Sequence, residues 1–130
     1  MKTLISKNIK SENLSVSGKL NVSGALSANS SITVGTSGSP LYNVVSGVIA
    51  VNPGSIDTVS KGSVNVTITG LRTTDRIFLQ PPSGLDAGLL YCGADITATN
   101  TLTIYLYNKT GGSIDDVSNN WKYTYLVFTN

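Results

Sequence analysis

Ser63-Val64-Asn65-Val66-Thr67-Ile68-Thr69 alternates apolar side chains with hydroxyl or amide ones. Successive side chains of a strand point to opposite faces, so Val64, Val66 and Ile68 share one face and the polar residues the other. That is the signature of a half-buried strand. Working outward from it, the same kind of run recurs along the chain. Val44 and Gly47-Val48-Ile49-Ala50-Val51 stop at the turn signal Asn52-Pro53-Gly54, and Arg76-Ile77-Phe78-Leu79 stops at Pro81-Pro82, where proline removes ladder donors. Leu89-Leu90-Tyr91-Cys92-Gly93-Ala94 follows, then Thr101 to Tyr107, then Trp121 to Phe128. A short helical turn is expected only at Leu85 to Leu90. Short strands divided by turns, with no sustained 3.6-residue period, predict an all-β fold: an antiparallel β-sandwich or jelly-roll-like body.

Two runs can be read face by face. In Thr101 to Tyr107, Leu102, Ile104 and Leu106 should point into the core, leaving Thr101, Thr103, Tyr105 and Tyr107 outside. In the last run both faces are apolar, with Trp121, Tyr123, Tyr125 and Val127 on one and Leu126 and Phe128 on the other. A strand apolar on both faces is usually covered on both. Another subunit is the expected second cover, which makes Trp121, Tyr123 and Tyr125 candidates for self-association.

A different pattern occupies Leu14 to Val34, LSVSGKLNVSGALSANSSITV. Its even positions are all Leu, Val, Ile, Gly, Ala or Ser, and Leu14, Leu20, Leu26 and Ile32 return every sixth residue. Laid straight, the segment would span roughly 70 Å, too long for one strand of a small sandwich. Gly18 and Gly24, with Ser30 in the third copy, mark the places where bends are expected. One copy cannot bury its own apolar side chains, and repeats of this kind need neighbours. Threefold association supplies them by placing Leu14, Val16, Leu20, Val22, Leu26, Ile32 and Val34 around a common axis. A linker, or an added edge strand of the body, are the other readings. The run GTSGSP from Gly35 to Pro40 reads as a hinge, so residues 1–36 form an amino-terminal arm and residues 37–130 the β-sandwich domain.

Charge divides the chain in the same place. Lys2, Lys7, Lys10 and Lys19 against Glu12 make the arm basic, whereas five basic and six acidic groups leave the body almost neutral. Four scattered lysines without stacking aromatics do not make a nucleic-acid stripe. They suit a solubilising arm that docks on an acidic protein surface. No apolar run approaches the length of a membrane span, and the first residues lack the apolar core of a signal peptide. Synthesis inside a cell without a secretion signal, and no membrane partner, are therefore expected.

The sequence offers little for catalysis. Histidine is absent and there is one cysteine, so Ser-His-Asp and Cys-His arrangements and multi-cysteine metal sites are not available. Cys92 reads as a small core residue. The acidic candidates Asp57, Asp75, Asp86, Asp95, Asp115 and Asp116 stand mostly among turn residues, and turn chemistry explains them. Asp115-Asp116 with Asn119 and Asn120 lacks the spacing of a calcium loop and is read as a turn before the last strand. No catalytic residue, cofactor or metal is expected. The aromatics Tyr105, Tyr107, Trp121, Tyr123 and Tyr125 are read as packing within or between subunits, with a sugar platform as the alternative.

The order of turns and apolar positions in the body resembles a small β-sandwich module of tailed-bacteriophage structural proteins, found in capsid decoration (cement) proteins and at the ends of tail fibres. The stretches that carry the resemblance are Ser46 to Pro53, Val64 to Leu71, Pro81-Pro82 with Leu85 and Ala87-Gly88-Leu89, Asn100 to Ile104, and Trp121-Lys122-Tyr123. The resemblance implies a homotrimer on the virion surface whose partner is the major capsid protein. In the arm, Lys2, Ile5, Lys7, Ile9 and Lys10 are the residues expected to attach it. A head or tail fibre end that binds a receptor or glycan is the alternative. No ligand residue carries over from the resemblance.

Overall fold

A computed structural model describes residues 13–129. Among these the chain is all-β, with antiparallel pairing throughout and no helix. The strands are β1 (Asn43–Val51), β2 (Gly54–Ile56), β3 (Ser60–Thr67), β4 (Arg76–Gln80), β5 (Leu89–Ala98), β6 (Thr101–Asn108), β7 (Ile114–Asp116) and β8 (Asn119–Val127). They form two three-stranded sheets, β1-β8-β4 and β3-β6-β5, and a short β2-β7 ladder. Three of the pairs nest: β1 with β8, β2 with β7, and β3 with β6. The first and last strands thus close on each other, as in a β-sandwich.

The inner faces are those the alternation selects. Leu102, Ile104 and Leu106 of β6 and Val51, Trp121 and Tyr125 of β1 and β8 are buried in a single core with Ile56, Ile68, Leu71, Leu89 and Ile96. Val64 and Val66 of β3 pack against it from one sheet, and Ile77 and Leu79 of β4 from the other. Trp121 sits at the centre, fully buried, and meets the Tyr91 ring edge-on at 5.5 Å, an arrangement that the aromatic quadrupoles favour.

Connections are held by side chains. Asn100 lies at φ +61° in the β5-β6 turn, a conformation asparagine tolerates better than most residues. From there its N–H donates to the Leu71 carbonyl, its own carbonyl accepts from the Ile68 N–H, and its Oδ1 accepts from the Gly70 N–H. One turn residue thereby fastens the loop that crosses from β3 toward β4. Asn108, at the end of β6, is fully buried and uses its whole amide. Its Nδ2 donates to the carbonyls of Ile56 (3.0 Å) and Gly112 (2.7 Å), and its Oδ1 accepts from the N–H and hydroxyl of Thr110.

Three local expectations need correction. Cys92 is exposed rather than in the core. A β-bulge between Tyr91 and Gly93 makes it the extra residue of β5, so inward positions change from Leu89 and Tyr91 to Ala94 and Ile96. Leu85 to Leu90 forms no helical turn. The bonds from Leu85 N–H to the Pro82 carbonyl and from Leu89 N–H to the Asp86 carbonyl close two separate turns, and Asp86 Oδ1 takes the Gly88 N–H. Asp115 and Asp116 belong to β7 and pair with Ser55 and Gly54 of β2.

Candidate functional site

Three acidic side chains, Asp75, Asp86 and Asp116, are engaged in local structure. Asp75 is buried and its Oδ2 accepts the Arg72 N–H at 2.9 Å, closing the turn before β4. Asp116 accepts from the N–H groups of Val117 and Asp86 and from Asn119 Nδ2. Asp95 points outward from β5, across from Thr103. Among the described residues no group of three His, Cys, Asp or Glu side chains is placed to hold a metal ion. The titration shifts belong to packing: burial pushes the Tyr91 hydroxyl above its ordinary range. Burial does the same to Tyr125, reinforced by Asp75 and Tyr123 and opposed by Arg72.

The aromatic residues do not share one surface. β6 and β8 are the central strands of different sheets, so Tyr105 and Tyr107 lie on one outer face while Trp121 and Tyr125 point into the interior of their own chain. Tyr123 is partly exposed and stacks on Tyr125 with ring centroids 6.3 Å apart. The phenol of Tyr123 occupies the space that Gly47 leaves open: a Cβ at Gly47 would meet its hydroxyl at 2.5 Å.

The two outer sheet faces differ in chemistry. On β3-β6-β5, Thr103 Oγ1 bonds Asn65 Oδ1 at 2.7 Å and Thr97 Oγ1 at 2.8 Å, a hydroxyl-amide chain spanning three strands. Lys61 Nζ lies 4.3 Å from the Tyr105 ring centroid beside it. On β1-β8-β4, facing residues form the rows Val44-Leu126-Arg76, Ser46-Thr124-Phe78 and Val48-Lys122-Gln80. Val44, Val48 and Phe78 are each more than half exposed there.

The largest apolar surface lies outside both sheets. Leu14, Val16, Leu20, Val22, Leu26, Ile32 and Val34 are 45 % to 81 % exposed, and every residue from 13 to 30 is classed as exposed. The backbone bends at Ser17-Gly18, Ser23-Gly24 and Asn29-Ser30, the same place in each six-residue repeat. One antiparallel bridge ties the segment to the body: Ile32 N–H to the Leu41 carbonyl at 3.0 Å and Leu41 N–H to the Ile32 carbonyl at 2.8 Å. A groove of about 290 Å³ opens beside it, between residues 28–32 and 41–44. The attachment candidates Lys2, Ile5, Lys7, Ile9 and Lys10 lie outside the described residues.

Sequence reasoning singled out the repeat residues and missed the outward residues of β1 and β4. Val44, Val48 and Phe78 alternate with inward neighbours as any strand residues do, and only the pairing with β8 brings them onto one face. No protein-family model, no curated protein and no solved structure matches the chain.

Proposed function

We propose that the protein is a non-enzymatic structural component of a bacteriophage virion, a homotrimeric capsid decoration protein that clamps neighbouring major capsid subunits. The observation that carries this reading is the repeat segment: seven apolar side chains stand exposed on a backbone that bends every sixth residue. Isolated monomers rarely leave so many large apolar side chains of one segment in water. Three copies wound together cover it, and threefold symmetry then multiplies weak contacts with the capsid through effective concentration. The nested strand pairs support the jelly-roll-like reading of the body. The engagement of Asp75, Asp86 and Asp116 in turns and strand ends supports a role without catalysis.

A second reading, a head or tail fibre end that binds a glycan or receptor, is favoured by the outer face of β3-β6-β5. Tyr105 and Tyr107 stand there beside the Asn65-Thr103-Thr97 chain, aromatic rings with hydroxyl and amide neighbours of the kind that stack on and bond to sugar rings. Deleting residues 1–12 separates the two readings. A decoration protein loses capsid binding and keeps its trimer. If the deletion leaves particle stability unchanged and blocks adsorption to cells, the fibre reading replaces it.

A further inference from the structure

We infer that the outward face of the β1-β8-β4 sheet is a second self-association surface, covered by another copy of this chain. The inference rests on the self-association proposed above and names where the bodies, rather than the repeats, meet. Three observations carry it.

The first is continuity. The Ile32-Leu41 bridge sets the repeat segment against the start of β1, and Val44 lines the groove beside Ala28 and Ile32. Val44 is also the first outward residue of the sheet face, opposite Leu126. The repeats and the sheet face therefore adjoin at Val44, across a groove that also holds Ser30, Ser31 and Asn43, and a copy that covers one reaches the other.

The second is contrast. The other outer face carries a bonded hydroxyl-amide chain across its three strands, with exposed Leu90 at one edge, whereas this one exposes three large apolar side chains, Val44, Val48 and Phe78, around a single bonded hydroxyl pair, Ser46 and Thr124. Arg76 is folded back, with its Nη1 donating to the carbonyls of Thr74 and Asp75. Lys122 stands between Val48 and Gln80, where its aliphatic stem can lie along an apolar interface while the ammonium reaches water.

The third is area. At their fractional exposures the repeat side chains leave on the order of 700 Å² uncovered, and Val44, Val48 and Phe78 add about 300 Å². The sum is roughly two to three times the largest patch of a typical monomer and comparable with the roughly 800 Å² per partner of a stable interface.

The test uses the full chain and measures mass against concentration by sedimentation. One variant carries Val48→Lys with Phe78→Lys, and a separate one carries Leu20→Asp with Val22→Asp. The face variant is expected to fold, because both side chains already meet solvent. Near-ultraviolet circular dichroism of buried Trp121 checks this, and Val44→Gln with Val48→Gln is the milder substitute. The expected result is trimer dissociation at concentrations at least about tenfold higher than for the parent chain. A face variant that assembles like the parent, while the Leu20/Val22 variant falls apart, overturns this inference and leaves the repeat reading standing. Dissociation of the face variant alone supports it and removes the repeats from the interface. A monomeric parent chain overturns both.

Discussion

Replacing Asn108 by Leu removes the side chain that joins three parts of the body. The buried amide links the end of β6 to the Ile56 carbonyl of β2 and to the Gly112 carbonyl and Thr110 of the following turn, in four hydrogen bonds between 2.7 and 3.0 Å. The Thr110 carbonyl in turn accepts from Thr58 Oγ1 and the Val59 N–H, so the turn holds the β2-β3 connection as well. Each bond contributes about 0.5–1.5 kcal/mol net, and leaving a buried partner unmet costs more. Against this, Leu has the same branching and gains apolar burial of roughly 1–2 kcal/mol, although its methyl groups are bulkier than the amide they replace. Gly112 also keeps a partner in the Thr110 hydroxyl. The balance is a loss of about 3 kcal/mol, large for a body of this size. Urea unfolding followed by Trp121 fluorescence measures it, at one fixed protein concentration because the proposed self-association would shift the midpoint. A loss below about 1 kcal/mol would refute the hub assigned to Asn108 and would mean that the turn closes without it.

Three further outcomes follow from local geometry. Val59 is β-branched, exposed, and held at φ +47°. Val59→Asn should therefore stabilise by about 0.5–1.5 kcal/mol in the same unfolding assay, and a loss would show that the Val side chain makes a contact worth more than the strain. Gly88→Ala would place a Cβ 2.5 Å from Ile114 Cδ1 and 2.6 Å from Thr110 Cγ2. Thr110 is fixed by its own hydrogen bonds, so a cost of about 1–3 kcal/mol is expected, and a neutral result would show that the β7 side relaxes freely. Tyr91 and Tyr125 are held above the ordinary tyrosine pKa of 10.0, chiefly by burial. Their protonated forms favour the fold, so this stability is complete below pH 10 and is lost as pH rises through the folded values. Unfolding midpoints should turn down only above pH 10, less steeply in Tyr125→Phe; a decline beginning near neutrality would assign the sensitivity to other groups.

Much of the fold is legible in local alternation, because a half-buried strand needs only one apolar face. That is why β6 and β8 run close to the bounds their patterns suggest, why Val64 and Val66 face inward although β3 runs from Ser60 to Thr67 rather than from Ser63 to Thr69, and why the repeat bends fall at Gly18, Gly24 and Ser30. What depends on pairing is not legible. The short strands β2 and β7 hide among turn residues, with Asn52 Oδ1 taking the Gly54 N–H where a simple turn was expected. The bulge at Cys92 reverses the inward phase of β5 halfway along, so a run that looks continuously apolar carries an exposed thiol. The aromatics of β6 and β8 read as neighbours in sequence pattern, yet each strand is the centre of a different sheet. Sheet membership is set by long-range pairing, which no local period encodes. The same limit hid the outward face of β1-β8-β4, which exists only once Val44, Leu126 and Phe78 are brought together.

The central claim is that the repeat segment is covered by other copies of the chain. Light scattering on the full chain at micromolar concentration tests it most directly, with the Leu20→Asp, Val22→Asp variant as the control. The expected mass is three times 13.6 kDa for the parent chain and a single copy for the variant. A parent chain that scatters as one copy would contradict the claim.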